Sequence, residues 1–352
     1  MVSDPRRQSP SAAPVNLAIK IAILIPVYND WAALSKLLAR LHEVLSGRVE
    51  EFHLLLVDDA SDDPPPSSLL HSLDVFSEST RLQLHCNLGH QRAIAVGLTW
   101  LYENGIPDAV VVMDGDGEDK PEDLPRFLDR FVAHGGRKAV FAERTRRSEG
   151  FWFTLFYKLY QLGHRLLTGL PVKIGNFSVL PGEFLHSLVI SSHLWNHYAA
   201  TVVRLRLGKA LVPTERGMRY QGQSKMNFVS LVRHGLSALA VHADLIAVRL
   251  LVATGVLCVV SMALLIVCVF IRLCTSLAVP GWATYVSAFI VIILLQVLSI
   301  TFSVTIHTFS DLNSTSFLPV RDYTYFIANS TPLPVTVGAA SGALGTGSSA
   351  HG

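Results

Sequence analysis

A short acidic turn carries the strongest chemical signal in the sequence. A buried-type apolar run ends in Asp114, and two further carboxylates follow at Asp116 and Glu118. Hard oxygen ligands at alternate positions suit Mg²⁺ or Mn²⁺, particularly when a diphosphate completes the coordination shell. An EF-hand loop is the first alternative, but it needs glycine at its sixth position, where this chain has Asp119. The pattern therefore predicts a divalent-cation site, with a solvated acidic turn as the other interpretation.

Two more polar clusters follow apolar runs earlier in the chain. The first ends at Asp30, and the second is the pair Asp58 and Asp59. Acids at a strand end can accept hydrogen bonds from a ribose or a base, although Asp and Ser also simply make turns. Because ligands of a parallel α/β sheet bind at the carboxyl ends of its strands, we expect the three clusters to form one site.

The elements that must position these clusters alternate along the first 142 residues. Short aliphatic runs that favour strands are separated by segments with apolar residues at helical spacing. The predicted strands are 19–25, 52–57, 82–85, 109–113 and 139–142, and the predicted helices are 31–45 and 93–102. This order predicts an α/β fold with a mostly parallel sheet and helices on both faces.

The composition points to a membrane. Of the 352 residues, 50% are hydrophobic and only 16% are charged, and the mean hydropathy is +0.39. The excess lies in the runs 250–271 and 282–306, each longer than the roughly 18 residues that mark a transmembrane candidate. They predict a two-helix transmembrane hairpin, with a pair of buried core helices as the alternative. The net charge of +2 gives no indication of nucleic-acid binding.

These features divide the chain into seven predicted segments. They are a flexible tail (1–18), the α/β domain (19–225), a juxtamembrane interfacial helix segment (226–249), the two spans, a cytoplasmic C-terminal segment (307–330) and a disordered tail (331–352). Basic residues flank the hairpin more than they occupy its loop, which weakly favours both tails in the cytoplasm. The first 18 residues lack the apolar core of a signal peptide, so the α/β domain is expected to be cytoplasmic.

Five motifs in order resemble those of the family 2 glycosyltransferases, which have a Rossmann-like GT-A fold. They lie at 25–30, 57–61, 87–93 with Gly97, 113–116 and 219–225. The last motif, followed by two apolar runs, is similar to that of the polyprenyl-phosphate glycosyltransferase branch. That branch includes dolichol-phosphate mannose synthases and bacterial enzymes that load sugars onto undecaprenyl phosphate.

The resemblance implies an inverting hexosyltransferase that serves cell-envelope glycan or lipid modification. It would move a sugar from a nucleotide-sugar, with UDP favoured over GDP, to a polyprenyl phosphate. The implied location is the bacterial inner (plasma) membrane, as a multi-pass protein whose catalytic domain faces the cytoplasm. The implied partners are the nucleotide-sugar donor, the lipid acceptor and the bilayer, and a homo-oligomer is left open.

The resemblance also implies roles for individual residues. The donor nucleotide would contact Pro26, Tyr28, Asp30, Asp58 and Asp59, with Gly89 and Gln91 beside it. Asp114, Asp116 and Glu118 would bind the metal, Mg²⁺ or Mn²⁺, and its diphosphate. Arg219, Ser224 and Lys225 would close over the phosphates, and Lys225 would join Asp114 and Asp116 in stabilising the leaving group.

Two positions depart from the family pattern. Asp30 stands where glutamate is usual, and Asn176 stands where some relatives have an aspartate that is a candidate base. A base is physically unnecessary, because a phosphate monoester is already largely a dianion at pH 7. That dianion still has to approach a diphosphate of like charge. Arg144 and Arg147 are predicted to bind it, with a solvated basic loop as the alternative.

Two other functions remain possible for this fold. One is a processive or other-acceptor family 2 glycosyltransferase. A processive polysaccharide synthase would carry a Gln-x-x-Arg-Trp motif, and none of the five tryptophans ends such a motif. A catalytically inactive membrane scaffold would not need Asp114, Asp116 and Lys225. None of the 14 histidines is assigned a role.

Overall fold

A computed structural model describes residues 19–66, 69, 73–144, 161–169, 174–221, 228–275, 281–313 and 317–334. Within these ranges the strands are β1 (Lys20–Val27), β2 (Glu51–Asp58), β3 (Glu78–Leu84), β4 (Ala109–Val112), β5 (Ala139–Arg144), β6 (Ile174–Pro181), β7 (Lys209–Thr214) and β8 (Ile327–Pro332). They form one sheet in the order β7-β5-β6-β4-β1-β2-β3-β8. Neighbours β4, β1, β2 and β3 are parallel, as are β5 and β7, whereas β6 and β8 run antiparallel to their neighbours.

The helices cover both faces of the sheet and extend beyond it. They are α1 (Trp31–Leu45), α2 (His90–Asn104), α3 (Leu124–Ala133), α4 (Phe184–Val189), α5 (Tyr198–Arg204), α6 (Phe228–Ala240), α7 (Ala243–Cys274), α8 (Trp282–Asn313) and α9 (Pro319–Asp322). Residues 161–168 are also helical. One core packs α1 and α3 against the sheet, and a second packs α2, α4 and α5 against its other face. The predicted α/β class with a mostly parallel sheet is confirmed.

Alternation along the central strand β1 divides the two cores. Ile21, Ile23 and Ile25 face the α1 side, while Ala22 and Leu24 face the α2 side. Strands buried on both faces carry near-continuous aliphatic runs, which is why the sequence signal here was strong. Helix α2 approaches closely at Gly97, where an added Cβ would lie 2.6 Å from Leu24 Cδ1.

Two apolar helices follow the α/β domain. In the part of the chain that the structure describes, Ala243–Cys274 and Trp282–Ser310 are long and apolar enough to cross a membrane. Only 6% of the most apolar 18-residue stretch of each helix is buried. The buried residues of α7 recur at every seventh position, and Thr254 Oγ1 lies 2.8 Å from Thr301 Oγ1 of α8. Small and hydroxyl-bearing residues at that spacing allow two helices to pack closely in lipid. Helix α7 starts inside the predicted juxtamembrane segment 226–249, and the segment boundaries stay predictions.

The chain returns to the α/β domain after α8. Strand β8 pairs antiparallel with β3, and the Trp195 ring lies 4.0 Å from that of Phe317 and 5.0 Å from that of Phe326. The expectation of disorder from residue 331 is wrong for Thr331 and Pro332, which lie in β8. Main-chain pairing to a sheet edge orders this polar segment without burying it. Residues 335–352 of the predicted tail lie outside the described residues.

Candidate active site

Three neighbouring parallel strands bring the predicted polar clusters to one rim of the sheet. Strands β4, β1 and β2 are adjacent, with Val27 opposite Asp58 and the N–H of Met113 bonded to the carbonyl of Leu24 at 3.2 Å. Pro26 is buried near the end of β1, and Tyr28 beyond it is 38% exposed. The residues that follow these strands therefore share one edge, as expected.

Asp58 is held entirely inside the protein at the end of β2. Its side chain has no solvent exposure, and its Oδ2 accepts from Nε of Arg81 at 3.1 Å. Its Oδ1 accepts from the backbone N–H of Ser61 at 2.9 Å, so the carboxylate closes its own loop. A buried carboxylate paired with a guanidinium and an N–H is strongly tied to its position.

Asp59 ties the same loop to the start of α2. Its Oδ1 accepts from the N–H of Leu88 at 2.7 Å, and its Oδ2 accepts from the N–H of Gly89 at 2.8 Å. Burial raises the pKa of Asp59 and outweighs the lowering effect of these two bonds. Gly89 precedes α2 with φ of 87°, a left-handed conformation that glycine adopts easily. The nucleotide-binding roles of Asp58, Asp59 and Gly89 stay predictions.

The loop after β1 is bonded to the loop after β2. Asn29, in the left-handed region with φ of 49°, donates its N–H to Ser61 Oγ at 2.9 Å. Its side chain exchanges two hydrogen bonds with Asp62, at 2.6 and 2.8 Å. These bonds make the β1 and β2 loops one unit, which holds Asp30 at the rim.

The turn after β4 crowds its carboxylates together. Burial, and then the negative charge of Asp114, raises the pKa of Asp116 from 3.8 to about 6. The N–H of Glu118 donates to Asp116 Oδ1 at 3.0 Å. Gly117 has φ of 88°, and a Cβ there would lie 2.3 Å from Cδ2 of Tyr220. The turn is thus close-packed and strongly acidic.

Residues 215–221, which we call the strap, cross over this turn. Arg219 bridges two predicted site residues, because one guanidinium nitrogen lies 3.0 Å from Asp116 Oδ2 and another pairs with Asp30. Arg216 Nε donates to Glu118 Oε2 at 2.8 Å. The N–H of Tyr220 donates to the carbonyl of Asp116 at 3.0 Å. The arginines of the strap neutralise the carboxylates. A bound cation could take their place at the carboxylates, and a phosphate could take the place of the carboxylates at the arginines.

A row of hydrogen-bonded side chains borders the acidic turn on the α2 side. The N–H of Tyr198 donates to Gln91 Oε1 at 2.8 Å, and Gln91 Nε2 donates to Asn176 Oδ1 at 3.1 Å. Asn176 Nδ2 lies 3.0 Å from His90 Nε2, which lies 3.1 Å from Asp114 Oδ1. Gln91, predicted to lie beside the nucleotide, is therefore at the rim.

His90 is the site residue that sequence reasoning missed. Burial opposes a positive charge on its ring, but the carboxylates of Asp114, Asp119 and Asp116 outweigh burial and raise its pKa. The only sequence feature that points to His90 is its place in the 87–93 motif, between the predicted site residues Gly89 and Gln91. Asn176, noted in the sequence as a departure from relatives, proves to be a neighbour of His90.

The residues fit a divalent cation only in part. In the ranges that the structure describes, no three His, Cys, Asp or Glu side chains converge on one ion position. The predicted trio is incomplete because Glu118 turns toward Arg216. The crowding of Asp114 and Asp116, however, is what a cation relieves, and it favours a metal that takes its other ligands from a bound diphosphate.

Four predicted site residues cannot be placed by their side chains. Arg144 is the last residue of β5, opposite Thr214, and its side chain lies outside the described structure. Arg147, Ser224 and Lys225 lie outside the described residues altogether. Their roles at the acceptor phosphate and the donor phosphates stay predictions.

Comparison with known proteins gives a consistent result. Residues 22–185 match the family model described as Glycosyl transferase family 2. An uncharacterized glycosyltransferase of Synechocystis sp. is 25% identical over 228 residues, which is 63% of this chain and 69% of that protein. The undecaprenyl-phosphate 4-deoxy-4-formamido-L-arabinose transferase of Enterobacter sp. is 26% identical over 220 residues, 60% of this chain and 64% of that protein.

Solved structures with a related arrangement also exist. Glucosyl-3-phosphoglycerate synthase from Mycobacterium tuberculosis, in complex with Mn²⁺, UDP-glucose and phosphoglyceric acid, superposes with a TM-score of 0.48 at 15% identity. The match covers 65% of this chain and 80% of that chain.

Proposed function

This chain carries a glycosyl transferase family 2 domain and is a glycosyltransferase, and we propose that it transfers a sugar from a nucleoside diphosphate-sugar to a polyprenyl phosphate. The observation that carries the acceptor class is the hairpin: two apolar helices leave the catalytic domain at α7 and return to it at β8. Such an attachment would hold the site at the surface of the bilayer, which the acceptor lipid cannot leave. The relative that acts on undecaprenyl phosphate supports the same class.

The donor side rests on the acidic turn and the strap. Asp114 and Asp116 would hold a divalent cation, Mg²⁺ or Mn²⁺, together with the donor diphosphate. When bound, such a cation stabilises the negative charge of the leaving nucleoside diphosphate. Arg219 would exchange its contacts with Asp30 and Asp116 for phosphate oxygens, which guanidinium groups bind in a bidentate fashion. UDP is our proposed nucleotide on the sequence resemblance alone.

The transfer itself is a single displacement. An oxygen of the lipid phosphate forms a bond to the anomeric carbon while the bond from that carbon to the diphosphate oxygen breaks, which inverts the centre. No proton has to be removed, because the attacking phosphate is largely a dianion at neutral pH. Arg144 and Arg147 are proposed to bind it, with Ser224 and Lys225 on the leaving diphosphate.

The membrane arrangement completes the proposal. Helices α7 and α8 would cross the bilayer as a hairpin, with both ends on the side of the catalytic domain. We propose the bacterial inner membrane, with that domain in the cytoplasm where nucleotide-sugars are made. The site would then face lipid phosphates of the inner leaflet.

A product-mass experiment tests this function. The full chain is purified in detergent and incubated with undecaprenyl phosphate, Mn²⁺ and a panel of UDP- and GDP-sugars, and the lipids are analysed by mass spectrometry. We expect one hexosyl-phosphate lipid from wild type and none from Asp116→Ala. The absence of a sugar-bearing lipid product with every donor would contradict the proposal.

A further inference from the structure

A short helix connects the first apolar helix to the active site. Helix α5 begins at Tyr198, whose ring is fully buried and whose hydroxyl lies 2.7 Å from Ser178 Oγ. The N–H of Tyr198 donates to Gln91, the first member of the polar row that ends at Asp114. The amino end of α5 is therefore locked to the site.

The other end of α5 is bonded to α7. Arg204, the last residue of α5, donates from two guanidinium nitrogens to the two oxygens of Asp244, at 2.7 and 3.0 Å. The same group donates to the carbonyl of Val241 at 2.8 Å. Asp244 lies in the first turn of α7. A bidentate guanidinium–carboxylate pair restrains both distance and rotation, unlike a single contact.

The pair is partly shielded from water. The side chains of Arg204 and Asp244 are 23% and 35% exposed, so they are screened less than a surface ion pair. A second link lies nearby, where Ser237 Oγ of α6 donates to the carbonyl of Asn196 at 2.6 Å. The junction between domain and hairpin is therefore built from specific polar contacts.

We propose that Arg204 and Asp244 are positioning residues that set the height and tilt of the active site relative to the membrane. This inference rests on the proposed function, since it concerns delivery of a membrane-bound acceptor. A lipid phosphate sits at a fixed depth in the headgroup region, so a tilted catalytic domain would no longer meet it. A water-soluble acceptor follows the site wherever it moves. The pair therefore matters for one kind of acceptor only.

The test compares two acceptors on the same variants. Wild type, Asp244→Asn and Arg204→Lys are assayed with undecaprenyl phosphate in phospholipid vesicles and with a short, water-soluble prenyl phosphate. We expect the KM for the lipid to rise about fivefold in each variant, as for loss of a partly shielded ion pair. The KM for the donor and kcat/KM for the soluble acceptor should match wild type. Asp129→Asn, which alters a peripheral ion pair with Arg48, is the matched control.

Four results decide the matter. Equal losses with both acceptors would show a merely structural role and overturn the positioning proposal, as would no change with either. The double variant Arg204→Lys/Asp244→Asn should lose no more than the worse single variant, because the two act as one unit. If wild type uses neither prenyl phosphate, the proposed function itself fails, and the proposal fails with it.

Discussion

Two aspartate pairs stand at the ends of strands β2 and β4, which lie on either side of β1 in the sheet. The two pairs have opposite environments. Asp58, the last residue of β2, and Asp59, which follows it, are buried and bonded to Arg81 and to backbone N–H groups. Asp114 and Asp116, after β4, repel each other, and the strap and His90 supply their positive partners. The first pair shapes the rim, and the second keeps charge that a ligand can neutralise.

The comparison shows why residue type alone does not assign a role. Both pairs have the sequence Asp close to Asp at the end of an aliphatic run, and both look equally able to bind a ligand. The difference arises from what packs around them: an arginine from β3 and the start of α2 in one case, and a displaceable strap in the other.

The largest expected effect is on catalysis after β4. Asp116→Ala should lower kcat/KM by about a thousandfold or more, comparable to loss of a preorganised electrostatic contact in an active site. Its unfolding midpoint should not fall, because the substitution relieves crowding. Turnover and thermal unfolding of the same preparation check both parts. Near-normal turnover would remove Asp116 from the chemistry.

The next effect is on stability after β2. Asp58→Ala leaves the Arg81 guanidinium without its buried partner, and breaking such a pair costs about 3–5 kcal/mol. Chemical denaturation should show this loss in the free energy of unfolding. Asp62→Ala, an exposed neighbour that bonds to Asn29, should cost much less. A loss below about 1 kcal/mol for Asp58→Ala would contradict the inferred difference between the two aspartate pairs.

The pH dependence of stability reports on the crowding of the acidic turn. The folded-state pKa of Asp116 is raised from 3.8 to about 6, so its neutral form is favoured by folding. Its stabilising contribution is complete below pH 3.8 and is lost as pH rises through about 6, a loss of up to about 3 kcal/mol.

Without divalent cations, wild type should therefore lose stability between pH 4 and pH 7 relative to Asp116→Asn. Unfolding midpoints across that range provide the measurement. Parallel curves for the two proteins would contradict the crowding that we infer at the acidic turn.

The smallest expected effect is at the edge of the acidic turn. Glu118→Gln keeps an oxygen that can accept from Arg216, so kcat/KM should fall by less than about tenfold. Steady-state kinetics with saturating Mn²⁺ provide the test. A loss as large as that of Asp116→Ala would make Glu118 an essential metal ligand.

Sequence patterns predicted the parts of the fold that are locally encoded. Strands β1 and β4 are almost entirely apolar, β2 contains an aliphatic run at 54–57, and α1 has strong apolar periodicity. Strands β6 and β8 were not expected, because Gly175, Asn176 and Ser178 interrupt the first and the second is polar. Their place depends on pairing with β4, β5 and β3, which no local pattern encodes.

The sequence likewise predicted one part of the site and not another. The carboxylates at the rim were expected from their position after strands, and topology brings them together. Their partners were not expected: His90 beside Asp114, Arg216 on Glu118, and the saturation of Asp58 by Arg81. Each of these contacts joins residues far apart in the chain, so it follows from packing rather than from spacing.

The most direct test of the proposed cation site after β4 is the stabilisation of the protein by Mn²⁺ in the presence of UDP. A ligand that binds only the folded state raises its unfolding midpoint according to its affinity. We predict a clear rise for wild type and none for Asp116→Asn at the same concentrations. An equal rise in both proteins would show that the carboxylates after β4 do not bind the cation, and would contradict the central claim.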